Sequence, residues 1–579
     1  MKSKINPYHS PAIGGAAAVF ACFTMLNSSA QAADQLWIGS AGDHNVTTPG
    51  NWGAWVSEGD TCASWSPFVF GSDVVDGTMN LNRWVAISSI TLNSSLTHDI
   101  TINNGPIIMG GSLVDMSTAT HDLTLNAQVQ QGWGDMTFNV GAGRTLTANG
   151  GVAESGWFGL HTGLTKNGAG TAVLGGASSY TLDTSINEGT LEIGGAGTLG
   201  GGSYAGTITN NGAFVYSSSA DQTLAVITGP GSITQSGTGT LTLTSYGAGN
   251  TGTITVNSGT LKAPDGPWQQ ESHHIVVNGG TFSTSDGNSR ALSWTLNGGT
   301  VSSRGDASPG FWGNIMLYDG QAVTAGGAAV STISSHVMLG AGSGFAVGAG
   351  STLNVTGTLS NSVWAAGGNG DLIKSGTGTM TITATNNYTG TTAVSEGKLI
   401  VNGSISTSIT TVASGATLGG SGTVGALTVN SGAFVTPGNS AGILTVNGDY
   451  NQAGTYNAEI TGNTAGVGGY DQIAVTGTVS ITGGSLVALF SSGSYSLGDK
   501  LFILLNDDSD AVIGTYAGFS QGDVIASYGG FDWQISYLAD SGGNTITGGN
   551  DIALMAVPEP NVAALIGGLG AICLLRRRR

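Results

Sequence analysis

Cysteine, charge, proline and helical periodicity are all scarce in this chain, and each scarcity removes a class of protein. There are three cysteines in 579 residues. Cys22 and Cys573 fall in apolar segments near the two ends, which leaves Cys62 alone in the body and excludes an internal disulfide framework. Only 8% of residues are charged. Setting aside Lys2, Lys4 and the four terminal arginines leaves 9 of the 15 basic residues against 34 acids. That balance gives no basic patch for nucleic acid or for an anionic membrane surface. Proline occurs 12 times beside 99 glycines, without a Gly-X-Y period, so the chain is not collagen. Apolar content of 40% supplies a continuous core and argues against disorder.

What the chain does contain is period-two alternation punctuated by turns. Between about 34 and 555 there is no long amphipathic helical pattern. Thr240-Leu241-Thr242-Leu243-Thr244 and Thr379-Met380-Thr381-Ile382-Thr383 place every second apolar side chain on one face, the signature of strands with one buried side. The turns between them are written Asn210-Asn211-Gly212, Asn257-Ser258-Gly259, Asn278-Gly279-Gly280 and Asn430-Ser431-Gly432, residues that reach positive φ cheaply.

A longer unit recurs three times. Leu164-Thr165-Lys166-Asn167-Gly168-Ala169-Gly170-Thr171, Ile233-Thr234-Gln235-Ser236-Gly237-Thr238-Gly239-Thr240 and Leu372-Ile373-Lys374-Ser375-Gly376-Thr377-Gly378-Thr379 share one pattern. Each is followed by a second element, Glu188-Gly189-Thr190-Leu191, Ser258-Gly259-Thr260-Leu261 and Glu396-Gly397-Lys398-Leu399. The spacing suits one solenoid coil that buries its apolar face on the next. These units resemble the autotransporter-associated β-strand repeat, and 415–440 resembles the passenger stem of the same proteins. The resemblance implies an all-β fold, a right-handed parallel β-helix. No amphipathic β-barrel translocator pattern follows the repeats.

The ends predict how the chain is handled. Lys2 and Lys4, an apolar region from Ile13 to Leu26, and Ala30-Gln31-Ala32 form the three parts of a secretory signal peptide, with cleavage expected at Ala30 and Ala32. At the other end Val557-Pro558-Glu559-Pro560 precedes an apolar run from Val562 to Leu575 and then Arg576, Arg577, Arg578 and Arg579. Fourteen helical residues cover only about 21 Å of a roughly 30 Å hydrocarbon core, so a helix there is a weak anchor. The arginines fix its end in the cytoplasm. This tripartite tail resembles the PEP-CTERM sorting signal, which implies processing by an exosortase and display at the cell surface. The predicted organisation is a signal peptide at 1–32, a Trp-rich N-terminal cap and first coils at 33–160, a β-helix at 161–450, a C-terminal β cap at 451–554 and the sorting segment at 555–579, with a short transmembrane helix. The cap at the N-terminal side carries Trp37, Trp52, Trp55, Trp65 and Trp84.

Motifs that could carry chemistry are weak. Gly438-Asn439-Ser440-Ala441-Gly442 satisfies a hydrolase nucleophile expression, but Ile443-Leu444-Thr445-Val446 after it is a strand, not the helix that elbow needs. Gly195 to Gly200 matches a dinucleotide fingerprint without opening a helix. His273 and His274, beside Glu271, are adjacent and therefore point to opposite faces of a strand. Asp507, Asp508 and Asp510 offer oxygens for a cation but lack the glycine and closing glutamate of a calcium loop. The expectation is a non-catalytic exported surface or matrix protein with no cofactor and no metal. Its expected partners are an exosortase and extracellular polysaccharide, and it touches the membrane only through its C-terminal segment. The alternatives are a carbohydrate-binding module using the tryptophans and a β-helix polysaccharide lyase or hydrolase.

Overall fold

The computed structural model describes residues 35–37, 66–81, 83–155, 161–264, 272–284, 289–303, 314–362, 368–438, 440–507 and 510–559. The signal peptide with Ala30 and Ala32, residues Trp52, Trp55, Cys62 and Trp65, Pro560, Arg576 to Arg579 and the expected transmembrane helix lie outside the described residues. Among the described residues no helix is long and apolar enough to cross a membrane.

The chain is an all-β parallel solenoid, as the alternation and the repeats predict. Each coil lays down up to three short strands on three faces, and each strand pairs in parallel with its counterpart in the next coil. The first face runs as an open ladder of twenty described strands from Thr78–Asn80 to Ile513–Thr515. Along it the coil length varies, from 17 residues between Val412 and Val429 to 33 between Ser480 and Ile513. Loops absorb that difference. The second face carries Thr240–Leu243, Thr260–Lys262 and, further on, Thr379–Ile382 and Lys398–Val401. The third carries Leu164–Asn167, Thr184–Ile186 and the end of Ser203–Asn210 early in the chain, and Ile443–Val446, Gln472–Val475 and Lys500–Asn506 late. Ser203–Asn210 and Gln222–Thr228 bend from the second face onto the third, so that Ser203 and Tyr204 line up with Thr242 and Leu243.

Alternation places one row of side chains inside. Leu241, Leu243, Met380 and Ile382 are buried while the threonines between them face outward. The main core runs from Trp37 to Ala556, with a small separate cluster of Phe502, Ala539 and Ala553 in the C-terminal cap. Outward asparagines stack into ladders: Asn103 donates to Asn80 at 3.2 Å, Asn126 to Asn103 at 2.7 Å and Asn149 to Asn126 at 2.9 Å. A second ladder joins Asn257, Asn278 and Asn297. Each rung satisfies a side-chain amide between coils and holds their register.

The C-terminal end changes direction. Lys500–Asn506, the last solenoid strand on the third face, pairs antiparallel with Asp551–Pro558. That strand pairs in turn with Phe531–Ala539, which pairs with Val524–Tyr528. The final strand runs past Leu554, so Val557 and Pro558 lie opposite Asp532 and Phe531. Pro558 stands at the strand's end, a position where its missing N–H costs no ladder bond.

Candidate functional site

The repeat supplies the most organised polar geometry in the molecule. Lys374 sits at an inward-facing position of Leu372–Ser375 and is fully buried. Its ammonium donates to the carbonyls of Ser375 at 3.1 Å, Gly376 at 2.7 Å and Glu396 at 3.0 Å. Lys166 repeats this arrangement with Asn167 at 3.0 Å, Gly168 at 2.6 Å and Glu188 at 3.2 Å. The third carbonyl in each set belongs to the following coil, so the two halves of the repeat pattern interlock through one amine. In the middle copy Gln235 stands in this position and its amide donates to Gly237 at 3.1 Å and Gly239 at 2.8 Å. Ser258 replaces the glutamate there and donates to Ser236 and Gly237.

Two glycines in each copy explain the rest of the pattern. Gly376 has φ +73° and a Cβ on it would run into the Val347 carbonyl of the preceding coil. Gly397, at φ +65°, lies over the Gly376 to Gly378 turn, where a Cβ would strike the Gly376 carbonyl. The glycines allow successive corners to stack, and the lysine satisfies the carbonyls that the stacking buries.

The tyrosines of the loops are also internal. Tyr388 is buried with its hydroxyl 2.7 Å from Thr392 Oγ1, which in turn lies 2.7 Å from Ser408 Oγ. Tyr180 meets Thr184 at 2.9 Å, and Thr184 meets Tyr204 at 2.8 Å. Burial raises the Tyr388 hydroxyl pKa and pushes that of Tyr204 up to about 12.

Burial pushes Lys166 and Lys374 down to about 8, with the Glu188 and Glu396 carboxylates pulling the other way. A base whose folded pKa lies below its unfolded value destabilises the fold wherever both states are protonated. Below about pH 8 that penalty is complete, and it fades as pH rises toward 10.5. The lysine contribution to the unfolding free energy should therefore increase over that window, by on the order of 1 kcal/mol per lysine after solvent screening. It runs against the opposing loss from the buried tyrosines as unfolded tyrosine ionises near about pH 10. The double variant Lys166→Gln with Lys374→Gln, built on the natural Gln235 precedent, should lose the increase. An unchanged pH slope in the double variant would show that these amines are not titrating as described.

The residues singled out from sequence do not converge. His273 is buried with Nδ1 2.8 Å from the Gly252 carbonyl, and its ring lies 4.7 Å from that of Tyr246; burial lowers its pKa. His274 faces solvent, 2.7 Å from Ser293 Oγ. Glu271 lies outside the described residues. Ser440 is exposed in a bend, with Ile443–Val446 a strand after it, and Asn439 lies outside the described residues. The Gly195 to Gly200 segment turns into the short strand Thr198–Leu199. Asp507 and Asp510 accept through their carbonyls from the Asn506 and Asn550 amides, and Asp508 lies outside the described residues. Among the described residues no group of three or more His, Cys, Asp or Glu is placed to hold a metal ion. Of the sorting residues, Val557 and Pro558 are in the final strand and Glu559 follows it half-buried.

Sequence reasoning missed two groups. The role of Lys166 and Lys374 was visible only as a charged residue at an inward position of an alternating strand. Asp471 carried no local signal at all. It is buried, accepts the N–H groups of Gly442 at 2.8 Å and Glu459 at 2.9 Å, and burial pushes its carboxyl up to about 7. It thereby ties the glycine turn before Ile443 to the strand Thr455–Ile460.

Comparison with known proteins places these corners in a described class. The passenger-associated-transport-repeat family matches residues 164–193, 233–263 and 372–401, the three copies of the pattern. The chain is also similar to the adhesin BmaC autotransporter of Brucella suis biovar 1 (strain 1330), at 29% identity over 284 residues. That match takes in 41% of this chain and 8% of the relative, so the chain spans a small part of that protein's length.

Proposed function

We propose that this chain is a non-catalytic, exported surface or matrix protein of the adhesin-like passenger type, displayed at the cell surface and contacting extracellular polysaccharide. Export begins at the signal peptide cut near Ala30 and Ala32. The tail from Val557 through Arg579 then holds the protein transiently in the inner membrane until an exosortase processes it. The observation that carries this reading is the repeat itself. Three passenger-type repeats commit their buried lysines, glutamine and tyrosines to closing the coil, which leaves outward threonines, serines and asparagines as the presented surface. The similarity to an adhesin autotransporter supports the same direction.

The buried cations of the repeat do not favour a lyase. A lyase needs a base beside a cation that neutralises a uronate, and Lys166 and Lys374 are sealed inside the solenoid. The test uses the purified, processed protein on a glycan array and in a depolymerisation assay with uronate polymers. Retention of acidic or neutral exopolysaccharides without chain shortening is expected, and Ser440→Ala and His274→Ala should leave it unchanged. Turnover of any polymer that disappears in either variant would overturn the non-catalytic reading.

A further inference from the structure

The C-terminal cap exposes an aromatic rim beside the point where the chain leaves the fold. Pro558 ends the central strand of the cap, opposite Phe531. On one side lies the turn Tyr528-Gly529-Gly530-Phe531 joining the outer two strands, with both glycines exposed. On the other lies the loop before Lys500, tied to the last strand by the Gly498 N–H on the Ala556 carbonyl at 2.9 Å and by the Ala556 N–H on the Asp499 carbonyl at 2.9 Å. The rim between them is aromatic. Phe490 stacks on Tyr528 with centroids 5.2 Å apart, and Tyr495 packs edge-on against both Tyr528 at 6.1 Å and Trp533 at 5.1 Å. Trp533 is buried under this group, while Phe490, Tyr495, Tyr528 and Phe531 are only partly covered. Leu497, at the tip of the adjoining loop, is 62% exposed.

The tail sequence fixes how far this rim can stand from the bilayer. The apolar run begins at Val562, four residues after Pro558. Fully extended, those residues span at most about 14 Å. Roughly 5 to 7 Å of that is taken by the headgroup layer, so the end of the cap cannot rise more than about 7 to 9 Å above it while the tail is inserted. Tyrosine and phenylalanine with a projecting leucine form the composition that rests in a membrane interface, with ring bodies in the apolar zone and hydroxyls toward water. Lys500 follows Asp499 in sequence and Glu559 follows Pro558 at the end of the last strand, so cation and carboxylates balance near the rim and the contact is interfacial and apolar in character.

We propose that the aromatic rim of the C-terminal cap is a membrane-docking surface, seated on the interface of the bilayer that holds the tail. This rests on the anchoring reading of the tail given above. Docking would hold the Pro558-Glu559 segment at a fixed height and orientation on the membrane surface, where a membrane-embedded protease works.

The experiment uses the full chain, reconstituted in vesicles of phosphatidylethanolamine and phosphatidylglycerol. One version retains Cys573 as the sole cysteine and reports on the tail. In two others the native cysteines are replaced by serine, and Leu497→Cys or Val330→Cys is added; Val330 is an exposed residue on a solenoid strand, 62% exposed. Each carries a nitroxide whose collisions with oxygen and with a water-soluble nickel complex are compared. The expected result is a lipid-type ratio at 573 and, at 497, a ratio several-fold above that at 330, insensitive to added salt. A lipid-type ratio at 573 with 497 as aqueous as 330 overturns the docking surface and leaves the anchor standing. An aqueous ratio at 573 overturns the anchor, and the docking argument with it.

Discussion

Replacing Leu243 by Asp will leave the chain without a stable solenoid through its middle coils. Leu243 is 1% exposed and lies on the second face between Leu224 of one coil and the strand of the next. Losing the buried side chain removes about 2 kcal/mol of apolar transfer, and an unpaired carboxylate in its place costs several kcal/mol more. No buried lysine is within the same strand to receive the charge; the lysines of the repeat are already bonded to carbonyls. The sum is comparable to the whole stability of an ordinary domain, and in a stacked array the damage passes to the adjoining coils. Circular dichroism and urea titration should show lost β signal or an early sub-transition for Leu243→Asp. Leu243→Val, which keeps the burial and loses one methylene, should cost roughly 1 kcal/mol. Equal urea midpoints for wild type and Leu243→Asp would remove the inward assignment of that row.

The second large effect concerns processing. Pro558 and Pro560 fix φ and lack N–H donors, so a helix in the apolar run cannot extend upstream through them. The described structure carries the same boundary from the other side, since the last strand stops at Pro558. In a host with an exosortase, intact-mass analysis of surface protein should show loss of the residues after about Pro560. Glu559→Ala, or deletion of Arg576 to Arg579, should eliminate that form and leave precursor in the inner membrane. The mature mass should still contain Val557 and Pro558, because a cut further upstream would strip the central strand from the cap. Surface protein that still ends at Arg579 would reduce the tail to a plain anchor.

The strands were the legible part of this fold. Thr240–Leu243 and Thr379–Ile382 sit where alternation puts them, with the predicted residues inside, because a half-buried strand leaves its period in the sequence. The solenoid followed from the repeat. The corners were less legible: the pattern announced glycine where the chain must turn, but the lysine's partners are backbone carbonyls, which carry no sequence signature. Asp471 was invisible for a related reason, since both of its donors are main-chain N–H groups. The order of strands in the C-terminal cap, with Asp551–Pro558 between Lys500–Asn506 and Phe531–Ala539, depends on long-range pairing that local patterning does not encode.

The three copies of the repeat are not equivalent in space. In the first, the lysine strand Leu164–Asn167 belongs to the third face and leads into the first-face strand Thr171–Leu174. In the second and third copies the corresponding strands, Ser232–Gln235 and Leu372–Ser375, are on the first face and lead into the second. The pattern thus advances by roughly a third of a turn about the axis between the first copy and the others. Related sequence motifs therefore look out in two directions, and an antibody raised against the third copy would meet the first on another flank. Whatever the loops beside these corners touch is presented on two flanks instead of along a single stripe.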